Sequence, residues 1–155
     1  MKILLIAVAL IFTASICHAE DNLTPLVEKL EDISTRIEMG ISLNTLAESI
    51  SAIKFQYRKV DTDGLRGQNP LLDDNLKEVL EALEDYAKVW KVQEVEGYKF
   101  IEGTGGYYTK YPGVYNLRRC DKYGCNVAVA GIKECIFDVI KEKLNKAKSL
   151  HKNGW

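Results

Sequence analysis

The chain has 155 residues, with 21 Lys and Arg against 22 Asp and Glu and a net charge of −1. That balance lacks the strongly basic footprint of a nucleic-acid or anionic-membrane partner, so neither is expected. The length suits one domain able to bury a core.

Residues 1–19 have the layout of a secretory signal peptide. Lys2 gives a positive start, an apolar or hydroxyl run extends from Ile3 to Ile16, and Cys17-His18-Ala19 ends in a small residue before Glu20-Asp21. Cleavage is expected after Ala19, which leaves residues 20–155 as a single globular domain, periplasmic or secreted. The apolar run covers about 14 residues, short of the ~20 that span a bilayer. Ile16 precedes Cys17 where a lipoprotein would have a small residue. No second run of spanning length follows, so no stable membrane insertion is expected after cleavage. Cleavage also removes Cys17 and His18, leaving three cysteines and His151.

Helix one is predicted from about Pro25 to Glu38, with Thr24 as its N-cap. Leu26, Leu30, Ile33 and Ile37 form one stripe. Leu43, Leu46, Ile50, Ile53, Tyr57 and Val60 form a second, out of phase with the first. A turn at Gly40 accounts for the slip; one continuous helix with a stutter is the alternative. Asp61 to Asn69 reads as a polar connection. Its Asp61-Thr62-Asp63-Gly64 start resembles a calcium loop, but Leu65, Arg66 and Leu72 stand where the template needs a ligand, a glycine and a glutamate. Asn69 and Pro70 open helix three, whose buried face runs from Leu72 through Trp90 to about Val95.

Gly97 to Ala130 then becomes rich in glycine, tyrosine and valine. Tyr98–Ile101, Val114–Arg118 and Asn126–Val129 read as short strands. Ile132, Ile136, Val139, Ile140, Leu144 and Ala147 define a C-terminal amphipathic helix, with a frayed tail from Lys152 to Trp155. The predicted fold is α+β and mostly helical. Three to four amphipathic helices pack as a bundle, with a small antiparallel β-segment (about 98–130) before the C-terminal helix.

Cys120 and Cys125 flank a four-residue loop. If their segments pair, they face each other across a hairpin neck, and export favours a disulfide. The spacing is not the Cys-X-X-Cys of redox sites. Cys135 is left over: a buried thiol by default, the link of a homodimer, or, as a third alternative, the partner of Cys120 or Cys125. Histidine chemistry is poorly served. Cys135 and His151 lie about 24 Å apart on a continuous helix at 1.5 Å per residue, beyond hydrogen-bond reach. Neither a histidine-rich metal cluster nor paired Cys-X-X-Cys zinc spacing is available. Gly103-Thr104-Gly105-Gly106 lacks the Gly-Lys-Ser/Thr ending of a phosphate loop, and no helix is expected to start there. No catalytic residue, metal or cofactor is assigned.

Six of the eight tyrosines fall between Tyr98 and Tyr123, interleaved with Lys110, Arg118, Arg119 and Lys122. Tyrosine combines a large contact area with a polar tip, which suits interfaces. In an extended segment Tyr107 and Tyr108 would point to opposite faces, leaving at least one accessible. The expected function is therefore an exported non-enzymatic protein that binds a partner, protein or glycan. Its contact residues are expected to be Tyr107, Tyr108, Tyr111, Arg118 and Arg119. The alternatives are a structural or assembly component, a bundle holding a small apolar ligand, and a carboxylate-based cell-wall hydrolase. The last needs two acidic groups about 5–9 Å apart in a cleft.

Overall fold

A computed structural model describes residues 23–60, 62–102, 105–122 and 124–153. The segment read as a signal peptide lies outside the described residues, as do Asp61, Gly103, Thr104, Tyr123, Gly154 and Trp155. The fold is α+β and mostly helical, with a small three-stranded antiparallel sheet before a long C-terminal helix.

Helix α1 occupies residues 23–39. Leu23 is already helical and fully buried, so Thr24 lies inside the helix and is not the cap predicted for it. The helix ends as the phase slip requires. Gly40 takes φ +92°, the Gly40 N–H reaches Ile37 O, and the Ile41 N–H reaches Arg36 O. That pairing is a Schellman stop, which needs a residue tolerant of positive φ. Helices α1 and α2 are thus separate. Helix α2 (Leu43–Lys59) starts at Ser42, whose hydroxyl accepts from the Thr45 N–H at 3.2 Å.

The connection expected to be a polar loop contains a short helix, α3 (Thr62–Gln68). Leu65 is the reason: it is 1% exposed and pins this turn to the core. Helix α4 (Pro70–Glu94) then begins as predicted, with Asn69 Oδ1 accepting from the Leu72 N–H at 3.0 Å. Thr24-Pro25 and Asn69-Pro70, both read as a cap followed by the first helical residue, therefore differ: Asn69 caps its helix and Thr24 does not.

Strand β1 (Phe100–Glu102) follows a tight reversal. Two short helices come next, α5 (Gly105–Lys110) and α6 (Pro112–Asn116). Strands β2 (Arg119–Asp121) and β3 (Gly124–Ala128) lead into α7 (Val129–Lys152). Two expectations are corrected here. Residues 114–118 are not a strand, because Pro112 opens a helix that buries Val114 instead of an alternating face. A helix does start in the glycine run, at Gly105.

The sheet order is β1-β3-β2. Helices α4 and α7 run antiparallel beneath it, since Lys133 reaches Gln93 and Lys143 reaches Glu78. Leu72, Leu76, Val79 and Leu83 of α4 and Ile132, Ile136, Ile140 and Leu144 of α7 are buried in one continuous core. Lys148 on α7 pairs with Glu31 on α1, and Lys54 on α2 pairs with Glu84 on α4. The four long helices thus close a circuit around the core.

Candidate functional site

The sheet register decides which side chains of the 98–130 segment meet solvent. Phe100 lies opposite Ala128, and Glu102, Asn126 and Arg119 form one row across the three strands. Side chains alternate along a strand, so Phe100, Ala128, Asn126 and Arg119 share the outer face. Ile101 and Val127 share the inner face, where Val127 is fully buried. Phe100 is 52% exposed, and Tyr98, just before it, is 59% exposed.

Beside these rings lies a cleft of about 600 Å³, lined by Val92, Glu96, Tyr98, Phe100, Ile101 and Asn126. Two connections fix its shape. The Tyr98 N–H bonds to Val92 O at 3.2 Å, folding the chain back on the end of α4, and the Val129 N–H bonds to Lys99 O at 3.0 Å. The size and the mostly apolar lining with a few polar groups match small-ligand sites.

The tyrosines singled out in the sequence behave differently. Tyr111 is 1% exposed and cannot offer a surface contact. Its hydroxyl donates to Asp85 on α4 at 2.9 Å, and its ring stacks on Tyr107 at 6.3 Å. Asp85 also accepts from Lys110 at 2.8 Å and Lys88 at 3.0 Å. Tyr107 and Tyr108 are both half-buried, because the segment is helical where an extended one would splay them. Tyr108 packs edge-on against Tyr115 at 6.1 Å. Arg118 is exposed, but its guanidinium lies 3.8 Å above the Tyr115 ring and bonds the Tyr115 hydroxyl. Arg119 alone of the five stands exposed on the sheet face. The five therefore do not form one patch. Tyr107 and Tyr111 turn toward α4, Arg118 is spent on Tyr115, and Arg119 belongs to the strand row. Phe100, Glu96 and Asn126 were missed. The alternation of Phe100 with Ile101 was the available signal, but it becomes useful only once the partner strand and register are known.

Cys120 and Cys125 are directly opposite each other in the register, with their sulfurs 1.98 Å apart. Cys135 is half-buried on α7. Burial, with Asp138 and Glu134 nearby, pushes its thiol pKa up, away from the reactive thiolate.

His151 finds a partner that sequence distance concealed. Its Nε2 lies 3.1 Å from the Thr24 hydroxyl on α1, beside a smaller cleft of about 260 Å³ that includes Glu28 and Glu31. A hydroxyl and an imidazole are two parts of a nucleophilic set. Among the described residues no carboxylate is hydrogen-bonded to the other ring nitrogen, and Glu31 is engaged by Lys148. Among the described residues, too, no group of three His, Cys, Asp or Glu side chains stands ready for a metal ion.

Comparisons of the chain with protein-family models, with curated proteins and with solved structures find no match.

Proposed function

We propose that this chain is an exported, non-enzymatic binding protein. Its binding surface is the outer face of the sheet together with the cleft between α4 and β1. The helical circuit serves as scaffold. One observation carries the reading: Tyr98 and Phe100, two of the most exposed large rings described, border the same ligand-sized concavity. Exposed aromatics gathered at a concave, mostly apolar site mark recognition more often than isolated surface residues do. Export is supported by the charge and apolar layout of residues 1–19 and by a cysteine pair at bonding distance. This surface keeps Arg119 from the sequence-based candidates and replaces Tyr107, Tyr108, Tyr111 and Arg118 with Tyr98 and Phe100.

The test is site-specific photocrosslinking in the producing cell. A benzophenone side chain is placed at Phe100 and, as control, at Leu71, which is 64% exposed at the far end of α4. A discrete adduct from position 100 and none from position 71 is expected. Equal labelling at both positions, or none at 100, overturns the surface assignment. Mature protein whose N-terminal sequence does not begin at Glu20 overturns the cleavage.

A further inference from the structure

Among the described residues, cations of the chain lie over six of eleven aromatic rings, including two of the four most exposed, Phe55 and Tyr115. Lys59 sits 4.5 Å from the centre of Phe55, Lys133 4.3 Å from Trp90, Lys141 4.8 Å from Phe137, and Arg118 3.8 Å from Tyr115. Buried Tyr111 has Lys110 at 5.7 Å. Among the described residues none lies over Tyr98 or Phe100, although both are more than half exposed. The faces of such rings carry the negative side of the aromatic quadrupole, and both residues line the cleft.

The rest of the lining has the same sign. Glu96 is the charged side chain on the cleft wall. It lies two residues beyond the end of α4, where the helix dipole places partial negative charge. The uncharged Asn126 amide can accept as well as donate, and Val92 and Ile101 supply an apolar floor. A carboxylate, a helix C-terminus and two uncovered rings thus converge on one concave space of about 600 Å³.

We infer that the cleft binds a small organic cation, an alkyl- or arylammonium group carried on an apolar body. The charged head sits between Glu96 and the rings of Tyr98 and Phe100, and the body lies on Val92 and Ile101. This inference rests on the proposed binding surface and names its ligand class.

The experiment uses choline as the cation and 3,3-dimethyl-1-butanol as its neutral isostere. Each is titrated into the isotopically labelled protein at low ionic strength, where an exposed carboxylate is least screened. Backbone amide shifts around residues 92–102 are the readout. Choline is expected to bind with a dissociation constant of about 1 mM or tighter, and at least about fivefold more tightly than the isostere, a gap of the size cation–π contacts provide. Glu96→Gln should weaken choline about fivefold or more and leave the isostere unchanged. Phe100→Leu, which keeps apolar volume without the ring, should erase the preference. Unshifted thermal melts establish that both variants fold. If choline and the isostere bind the cleft equally, the cation class is wrong while the binding surface stands. If neither perturbs these amides and position 100 gives no crosslink, both readings fail.

Discussion

The Tyr111 hydroxyl donates to Asp85 across 2.9 Å, joining the α5–α6 segment to the middle of α4. Twelve residues earlier on the same helix, Asp73 accepts from Tyr57 at 2.5 Å and from Lys77 at 2.5 Å. Asp73 is fully buried, and the Asp85 side chain is 14% exposed. At about 100° per residue the two carboxylates point roughly 120° apart around α4. One side therefore anchors α2 and the other anchors the tyrosine segment. Asp73 is buried and Asp85 half-buried, and each is satisfied by a phenol and an ammonium group, the condition under which such burial is tolerated.

Tyr111→Phe removes only the donor and keeps the ring. Hydrogen bonds to charged groups contribute about 1.5–3 kcal/mol, and Asp85 retains Lys110 and Lys88. The expected loss is near the lower end, about 1.5 kcal/mol. Urea unfolding at neutral pH measures it, with Tyr98→Phe as an exposed control expected to change nothing.

Acid should release the same anchor. Burial acts to raise the Asp85 pKa, but hydrogen bonds from Lys110, Lys88 and Tyr111 outweigh it and hold the carboxyl below its ordinary value. The folded state then takes up a proton less readily than the unfolded chain. Its stabilisation is complete above about pH 4 and is lost as pH falls through the folded value. Asp85→Asn should be markedly less stable than the parent at neutral pH and approach it as the pH falls through the folded value of the parent carboxyl. A gap that persists unchanged into acid would assign the effect to packing.

The tyrosines give an opposite, alkaline signature. Burial followed by the Asp73 contact raises the Tyr57 pKa, and burial followed by the Asp85 contact raises that of Tyr111. Burial also raises Tyr86, and burial with Asp85 nearby raises Tyr107. The stability tied to these raised values is complete below the ordinary tyrosine value of about 10 and drains as pH rises toward the folded values. Spectrophotometric titration of native protein at about pH 11 should leave the Tyr57 and Tyr111 phenols protonated, with Tyr86 and Tyr107 less ionised than in the unfolded chain. In the unfolded chain they should be mostly ionised. The pair Tyr57→Phe and Tyr111→Phe should flatten the alkaline decline in melting temperature.

Where the sequence carried a periodic apolar stripe, the fold was legible. The stripes of α1, α2, α4 and α7, the break at Gly40 and the cap at Asn69 all follow from local rules that operate within a few residues. The 98–130 segment was less so. Its elements are three to six residues long, too short for periodicity to separate strand from helix. Pro112 was the local sign that residues 114–118 are not a strand. The facing of Cys120 and Cys125 was readable because it depends on a five-residue separation. The cleft was not readable, because Phe100 and Asn126 meet only through the β1–β3 register and Glu96 joins them only through the turn that bonds Tyr98 to Val92. Nor was the contact of Thr24 with His151, set 127 positions apart by helix packing.

Cys135 offers a last check, because its packing partner is a glycine. A methyl group built on Gly113 would lie 2.9 Å from the Cys135 sulfur and 3.7 Å from its Cβ, closer than carbon and sulfur pack. The sulfur belongs to a short, half-buried side chain on a long core helix. Gly113→Ala should therefore destabilise by about 1–3 kcal/mol, the range for overpacking. Cys135→Ala removes the obstructing atom, so the double variant should recover most of that loss and leave a clear coupling energy in the cycle. Gly131 provides the contrast. Its added methyl would meet Leu117 Cδ1 at 2.8 Å, but Leu117 is 43% exposed and its end can swing into solvent. Gly131→Ala should be neutral or stabilise by up to about 1 kcal/mol through helix propensity. If Gly113→Ala behaves like Gly131→Ala in urea melts, α6 does not seat on Cys135. The thiol would then stand open to a second chain, and oxidation of the parent protein should yield a covalent dimer on non-reducing electrophoresis.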